Sequence, residues 1–303
     1  MKHRFSKSDV LPALIILIGL AGVVGLSRLI DARQPATLAS DTDDQLYLSG
    51  PTVKRVSLGF NGLAADWYWM RSLQYVGRKI LKSGQGLQLD NLGTLNLKLL
   101  APLLDTATTL DPEFMEPYEY AAIVLPGIDI NEATRITKKG ITANPNSWRL
   151  YQHLGYIYWQ QRDYEAARAT YRDGAKIAGA PAWMEAMQAR MAAEGGSRDT
   201  AREIYRRMFE QSDDPKVKEM ARRRLLQLQS LDETDALRRL MNGYKAQMGK
   251  CPAAWLELAP ALRVLKIPTD TNGAPFDPAG VAYVLLPDKC DLETDPKSEV
   301  LSN

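Results

Sequence analysis

Few residues in this chain have the types and spacing that covalent or metal chemistry needs. Among 303 residues there are two histidines and two cysteines, too few for a zinc cluster or a histidine-based catalytic centre. His3 lies in the N-terminal tail, and His153 has no nucleophile pattern beside it. The stretch KSGQGLQLDNLG is too sparsely patterned to cradle a phosphate, and no dinucleotide fingerprint, nucleophile elbow or metal-binding helix motif occurs. The chain is therefore expected to be no enzyme, with no catalytic residue, metal or cofactor. The chemistry its residues do suggest is non-covalent recognition. Arg149, Gln152, Tyr156 and Trp159 follow one another at helical steps of three and four, and so share one face of a helix. A guanidinium pairs bidentately with a carboxylate, and aromatic anchors beside arginines are enriched in interface hot spots.

These residues belong to a repeat. Ala133, Ala167 and Ala201 are each 34 apart, as are Gly140 and Gly174, Tyr171 and Tyr205, and Pro181 and Pro215. The clearest unit is SWRLYQHLGYIYWQQRDYEAARATYRDGAKIAGAP, with Tyr151, Leu154, Gly155, Tyr158, Ala167, Tyr171 and Gly174 in order and Pro181 closing it. A 34-residue helix–turn–helix period resembles the tetratricopeptide repeat (TPR) family. The specific resemblance covers 113–215. Periodicity extends it to 52–250, with helical hairpins expected at 52–110 and 216–248 and degenerate units at the ends. In the 113–146 unit Pro126 and Gly127 shorten the first helix.

The resemblance implies a stack whose first helices line a concave partner groove. Moving the stripe by one repeat in each direction adds Trp183, Arg190 and Tyr118, and one further step adds Arg224. The expected groove is thus Tyr118, Arg149, Gln152, Tyr156, Trp159, Trp183, Arg190 and Arg224, suited to an acidic peptide or a C-terminal carboxylate. The competing expectation is that the tryptophans pack between repeats while the arginines face solvent. Trp67, Tyr68 and Trp69 are consecutive, so they fan over about 200° of a helix and one core cannot bury all three. A membrane interface, another protein, or two flanking helices would each account for them.

The N-terminal elements decide where this surface would work. Leu11 to Leu26 reads LPALIILIGLAGVVGL, and the apolar stretch extends to Ile30. About twenty helical residues span a ~30 Å hydrocarbon core. Lys2, Arg4 and Lys7 precede it, which predicts a cytoplasmic N-terminus at 1–9 and a single-pass anchor at 10–30; the looser resemblance given below implies that the membrane is a bacterial inner membrane. Residues 31–51 read as a linker, and the rest of the chain is placed in the periplasm or extracytoplasmic space. A cleaved signal peptide is the rival reading and exports the same segment. More loosely, the anchor, the SLGFNGLAADWYWMRSLQYVG segment, the repeats and a DPAGVAYVL tail are similar in order to a group of bacterial membrane-anchored TPR proteins. That resemblance carries no activity across.

Gly249 is an expected helix stop. Beyond it, 251–303 reads as a small cap in which VAYVLLP and KCDLE form a β-hairpin. In an oxidising compartment Cys251 and Cys290 would close a disulfide; the alternative is two separate thiols. A formal net charge of +2 is too balanced for a nucleic-acid coat, and Arg222–Arg224 are interleaved with acids such as Glu219 and Asp232. The expected fold is all-α: a transmembrane helix, a TPR-like α-solenoid and a small C-terminal hairpin cap. The expected role is a membrane-anchored scaffold or adaptor for assembly of an envelope complex. The alternatives are a structural subunit of a pilus, secretion or respiratory complex and, less favoured, a TPR-docked enzyme such as a glycosyltransferase.

Overall fold

The computed structural model describes residues 18–22, 24, 25, 28, 48–83 and 89–301. The expected anchor at 10–30 and linker at 31–51 lie mostly outside them. Described residues between 18 and 28 are helical, with Ile18, Leu20 and Val24 exposed. Among the described residues no helix is long and apolar enough to cross a membrane. The described chain is mostly helical, with one two-stranded sheet, and divides into two compact units, Met1–Asp111 and Pro112–Asn303.

In the first unit, α1 (Gly50–Val56) and α2 (Asn61–Ser83) both pack on α3 (Leu100–Leu110). Helix thus begins inside the segment read as linker. Pro51 suits a first helical turn, and Gly50 lies so close to Thr109 that a Cβ there would stand 2.7 Å from its Cβ. Leu100, Leu103, Leu104 and Ala107 of α3 are buried, as are Ala65, Tyr68, Tyr75 and Val76 of α2. The Tyr75 hydroxyl donates to the Asn96 carbonyl at 3.3 Å.

The second unit is helical repeat-like. Its elements are α4 (Met115–Val124), α5 (Ile130–Ala143), α6 (Trp148–Gln160), α7 (Tyr164–Ala175), α8 (Trp183–Glu194), α9 (Arg198–Gln211) and α10 (Pro215–Met248). Each packs on the next. The N-caps of α5, α7 and α9 are Asp129, Asp163 and Ser197, again 34 apart. Asp129 accepts from Asn131 N–H at 2.9 Å and Asp163 from Ala166 N–H at 3.0 Å, satisfying donors that a helix start leaves open.

Small residues let these helices approach. A Cβ on Gly155 would stand 2.7–2.9 Å from the Tyr171 ring. One on Gly174 would meet Met184 Cε at 2.5 Å and Tyr151 Cβ at 2.7 Å. Tyr171 and Met184 belong, with Ala167 and Met191, to one buried cluster.

The segment 216–248 is not a hairpin. It is part of one 34-residue helix, capped by Asp214 and ended by Gly249 at φ 70°. No glycine or proline interrupts the sequence between Pro215 and Gly243, so nothing local breaks it, and its two halves have different partners. Ala221 and Leu228 join the core formed with α8 and α9. Leu237 and Met241 pack with Trp255, Leu258, Leu262, Tyr283 and Leu292 of the C-terminal segment. That segment contains α11 (Ala259–Val264) and the antiparallel strands β1 (Val284–Leu286) and β2 (Asp291–Glu293), with Leu285 opposite Leu292. Cys251, just past the end of α10, is disulfide-bonded to Cys290 at the hairpin turn. Tyr283 shares a hydrogen bond with Ser230 at 2.9 Å, Trp255 Nε1 donates to the Tyr283 carbonyl at 3.1 Å, and Arg238 pairs with Asp291 at 2.7 Å.

Two outcomes follow from this packing. Gly155→Ala should lower stability by about 1–3 kcal/mol in urea unfolding, because the Tyr171 ring occupies the space its methyl needs. Gly243→Ala, with nothing within 4 Å of its Cβ position, should raise it by about 0.5–1 kcal/mol. Replacing both cysteines with serine should cost about 2–4 kcal/mol and hasten proteolysis of 251–301.

Candidate partner-binding groove

The residues expected to form one groove separate into three places. Tyr118 is fully buried (0% exposed). It fills the space that Gly140 leaves open, its ring 2.8 Å from where a Cβ on that glycine would be. It is a core residue of the second unit and cannot meet a partner. The short α4 puts this position against α5 and α6, where the corresponding Gln152 of α6 remains half-buried.

A second group forms at the N-terminal ends of α6 and α8. Trp183, 41% exposed, lies edge-on to Trp148 with ring centroids 5.9 Å apart. The Arg149 guanidinium sits 5.2 Å from the Trp148 centroid. Trp148 to Trp159 is eleven residues, about 16 Å along the helix axis, so these side chains sit at the far end of α6 from Trp159. Sequence reasoning passed over Trp148, which is adjacent to the projected stripe and anchors two of its members.

The third group adjoins a cavity. Tyr156, exposed, and Trp159 are in ring contact at 5.5 Å. Arg190 stacks over Trp159 at 5.1 Å. Glu194 holds both, accepting from Trp159 Nε1 and Arg190 Nε at 2.6 Å each through different carboxylate oxygens. Arg190 and Glu194 then continue into a cavity of about 510 Å³ between α8, α9 and α10. Its other walls include Arg198 and Tyr205 of α9, and Arg224, Gln227, Leu228 and Leu231 of α10. The α10 residues are spaced three, four and seven apart, the pattern of one helix face. The volume lies in the range usual for ligand sites.

The charges in this cavity are unequally matched. Arg198 Nη1 donates to Asp232 at 2.9 Å and Asp235 at 2.6 Å. Arg190 has Glu194, and both side chains are partly exposed, so that pair is worth at most about 1 kcal/mol. Arg224 donates to the neutral amide oxygen of Gln227 at 2.8 Å and makes no ion pair among the described residues. Arg224 therefore brings a cation that no described carboxylate neutralises. Tyr205, whose hydroxyl donates to the Ala186 carbonyl at 3.2 Å, is held above its ordinary pKa by burial, and Tyr171, one repeat earlier, is pushed up to about 12 for the same reason. Neither ring ionises near neutral pH.

Arg198 and Gln227 were missed in the sequence because they lie off the projected stripe, on the following helices; Glu194 stands one repeat after Gln160, at the end of the stripe, and was not carried forward. Trp67, Tyr68 and Trp69 belong to the first unit. Trp67 is exposed, Tyr68 buried and Trp69 half-buried, so they do divide around α2. His153 is half-buried between the two stripes of α6. Compared with known proteins, the chain matches no family model and no curated sequence.

Burial lowers the His153 pKa below the ordinary 6.5, with Glu119 opposing through its charge. The unfolded chain thus takes up this proton at a higher pH than the folded one, and stability is lost as pH falls through the ordinary histidine range. NMR titration should place His153 below 6.5, and His153→Gln should remove that part of the acid-side decline in urea midpoint.

Proposed function

We propose that the chain is a noncatalytic adaptor of TPR type, anchored in a bacterial inner membrane by residues 10–30, with its second unit outside the cytoplasm. The proposal places an acidic segment, or a terminal carboxylate, of a partner protein in the groove between α8 and α10. One observation carries the recognition: a partly apolar cavity lined by Arg190, Arg198 and Arg224, of which Arg224 has no carboxylate partner among the described residues. An incoming carboxylate can pair with Arg224 directly. It can also compete for Arg190, whose half-exposed pair with Glu194 is inexpensive to exchange. Leu228 and Leu231 provide apolar contact, and Tyr156 and Trp159 extend the surface along α6.

The 34-residue period, the capped helix pairs and the glycine contacts support the TPR assignment. The uncharged apolar run from Leu11 to Leu26, preceded by Lys2, Arg4 and Lys7, supports the anchor and its orientation. A disulfide between Cys251 and Cys290 suits an oxidising compartment.

The test uses the full chain in detergent and a fluorescent peptide of alternating Asp and Leu with a free C-terminus, followed by anisotropy. Arg224→Glu should weaken binding by about tenfold or more, about 1.4 kcal/mol, and Arg190→Glu by less. Arg149→Glu, at the far end of α6, should leave it within about twofold. Equal binding by the wild type and Arg224→Glu would refute the groove.

A further inference from the structure

The α2 helix has two apolar faces, and one of them is exposed among the described residues. Ala65, Tyr68, Ser72, Tyr75 and Val76 are buried on the side that packs on α3. Leu63, Trp67 and Met70 are 70%, 54% and 52% exposed. At about 100° per residue these two sets lie roughly 160° apart on the helix. Phe60, just before the helix, is as exposed as Leu63, and Val56 and Leu58 of the preceding segment are exposed as well. A helix packed on one neighbour needs one apolar stripe, and a contiguous apolar patch of this kind marks a contact surface.

The charge of the segment indicates what it contacts. Residues 50–83 hold six basic side chains (Lys54, Arg55, Arg71, Arg78, Lys79 and Lys82) against one acid, Asp66, a net of 6 − 1 = +5 in a chain whose total is +2. Arg71 lies 5.0 Å from the centroid of the Trp67 ring, which sets a cation at the margin of the apolar face. We propose that this face of α2, with Leu58 and Phe60, seats on an anionic lipid surface. The apolar side chains enter the headgroup–acyl boundary while the basic residues outside the α3 face meet lipid phosphates; Lys79, 5.5 Å from the Tyr75 ring centroid, lies on the α3 face. Phenylalanine, leucine and tryptophan on one side with lysine and arginine beside them is the composition of a helix lying in a membrane interface, and each basic residue near an anionic leaflet adds to its binding. A second copy of the chain is the weaker occupant, because a two-fold contact would bring the same basic margin against itself. The inference does not depend on the groove between α8 and α10.

The test reads local contact, because the full chain carries other apolar sequence that can bring it to vesicles. With Cys251 and Cys290 disulfide-bonded, Leu63→Cys and, separately, Lys245→Cys each offer one free thiol for an environment-sensitive fluorophore. The labelled full chain is added to phosphatidylcholine vesicles with or without one-third phosphatidylglycerol. The label at 63 should brighten several-fold, shift to the blue and be quenched by lipids spin-labelled near the headgroup, most strongly with phosphatidylglycerol present. The label at 245 should keep its aqueous emission. Reversing Lys54, Arg55 and Lys82 to Glu should return most of the signal at 63 to the aqueous value. An aqueous signal at 63 on vesicles that hold the chain would overturn the proposal. So would a blue shift already complete without lipid, which would assign the face to this chain or to a second copy.

Discussion

Close approach between helix backbones is the constraint on which the second unit rests. Gly155 admits the Tyr171 ring, Gly174 admits Met184 and Tyr151, and Gly140 admits Tyr118, each at distances where a Cβ would collide. Removing that space would do more than cost packing energy. It would push paired helices apart and rotate the faces they present, because close-packed interiors transmit displacement instead of absorbing it. The positions of Arg190 on α8 and Arg224 on α10 are downstream of those contacts, since each helix is located by the one before it.

The long α10 joins two kinds of packing. Its first half is the last member of the helical series, and its second half is covered by a segment with little regular structure of its own. That segment is short, but it is tied down at several points. Trp255 and Tyr283 bury their rings in the core and direct their polar atoms to named partners. Asp277, almost fully buried, accepts from the backbone N–H groups of Ala279 and Val281 at 2.8 and 2.9 Å. The disulfide closes a span of 39 residues over the end of the helix. The irregular segment thus keeps Leu237 and Met241 of α10 from water.

Within the groove, the arrangement of charge matters more than its amount. Most arginines of the second unit are matched by acids on the same or the next helix, as with Arg207 and Glu185 or Arg222 and Glu219. Such pairs on a wet surface contribute little and mainly prevent non-specific association. Arg224 departs from this pattern at a concave, partly apolar site, where an unmatched cation has the greatest effect on a ligand's charge.

By itself the sequence determined what is local. The period of 34, the small residues at 155 and 174, the stop at Gly249 and the strand-forming VAYVLLP each follow from the conformational preferences of a few neighbouring residues. It also marked which side chains share a helix face. Periodicity cannot say which of two faces becomes covered, because that depends on how far a neighbouring helix extends. Hence Tyr118 is buried although its counterpart Gln152 is only half-buried, and Trp183 turns to Trp148 and not to Trp159. For the same reason 216–248 is a single helix: no residue there breaks it, and its second half acquires a partner from the C-terminal segment, more than forty residues away in places. The tertiary structure decided these points because burial is set by contacts between segments distant in the chain, on which local spacing has no bearing.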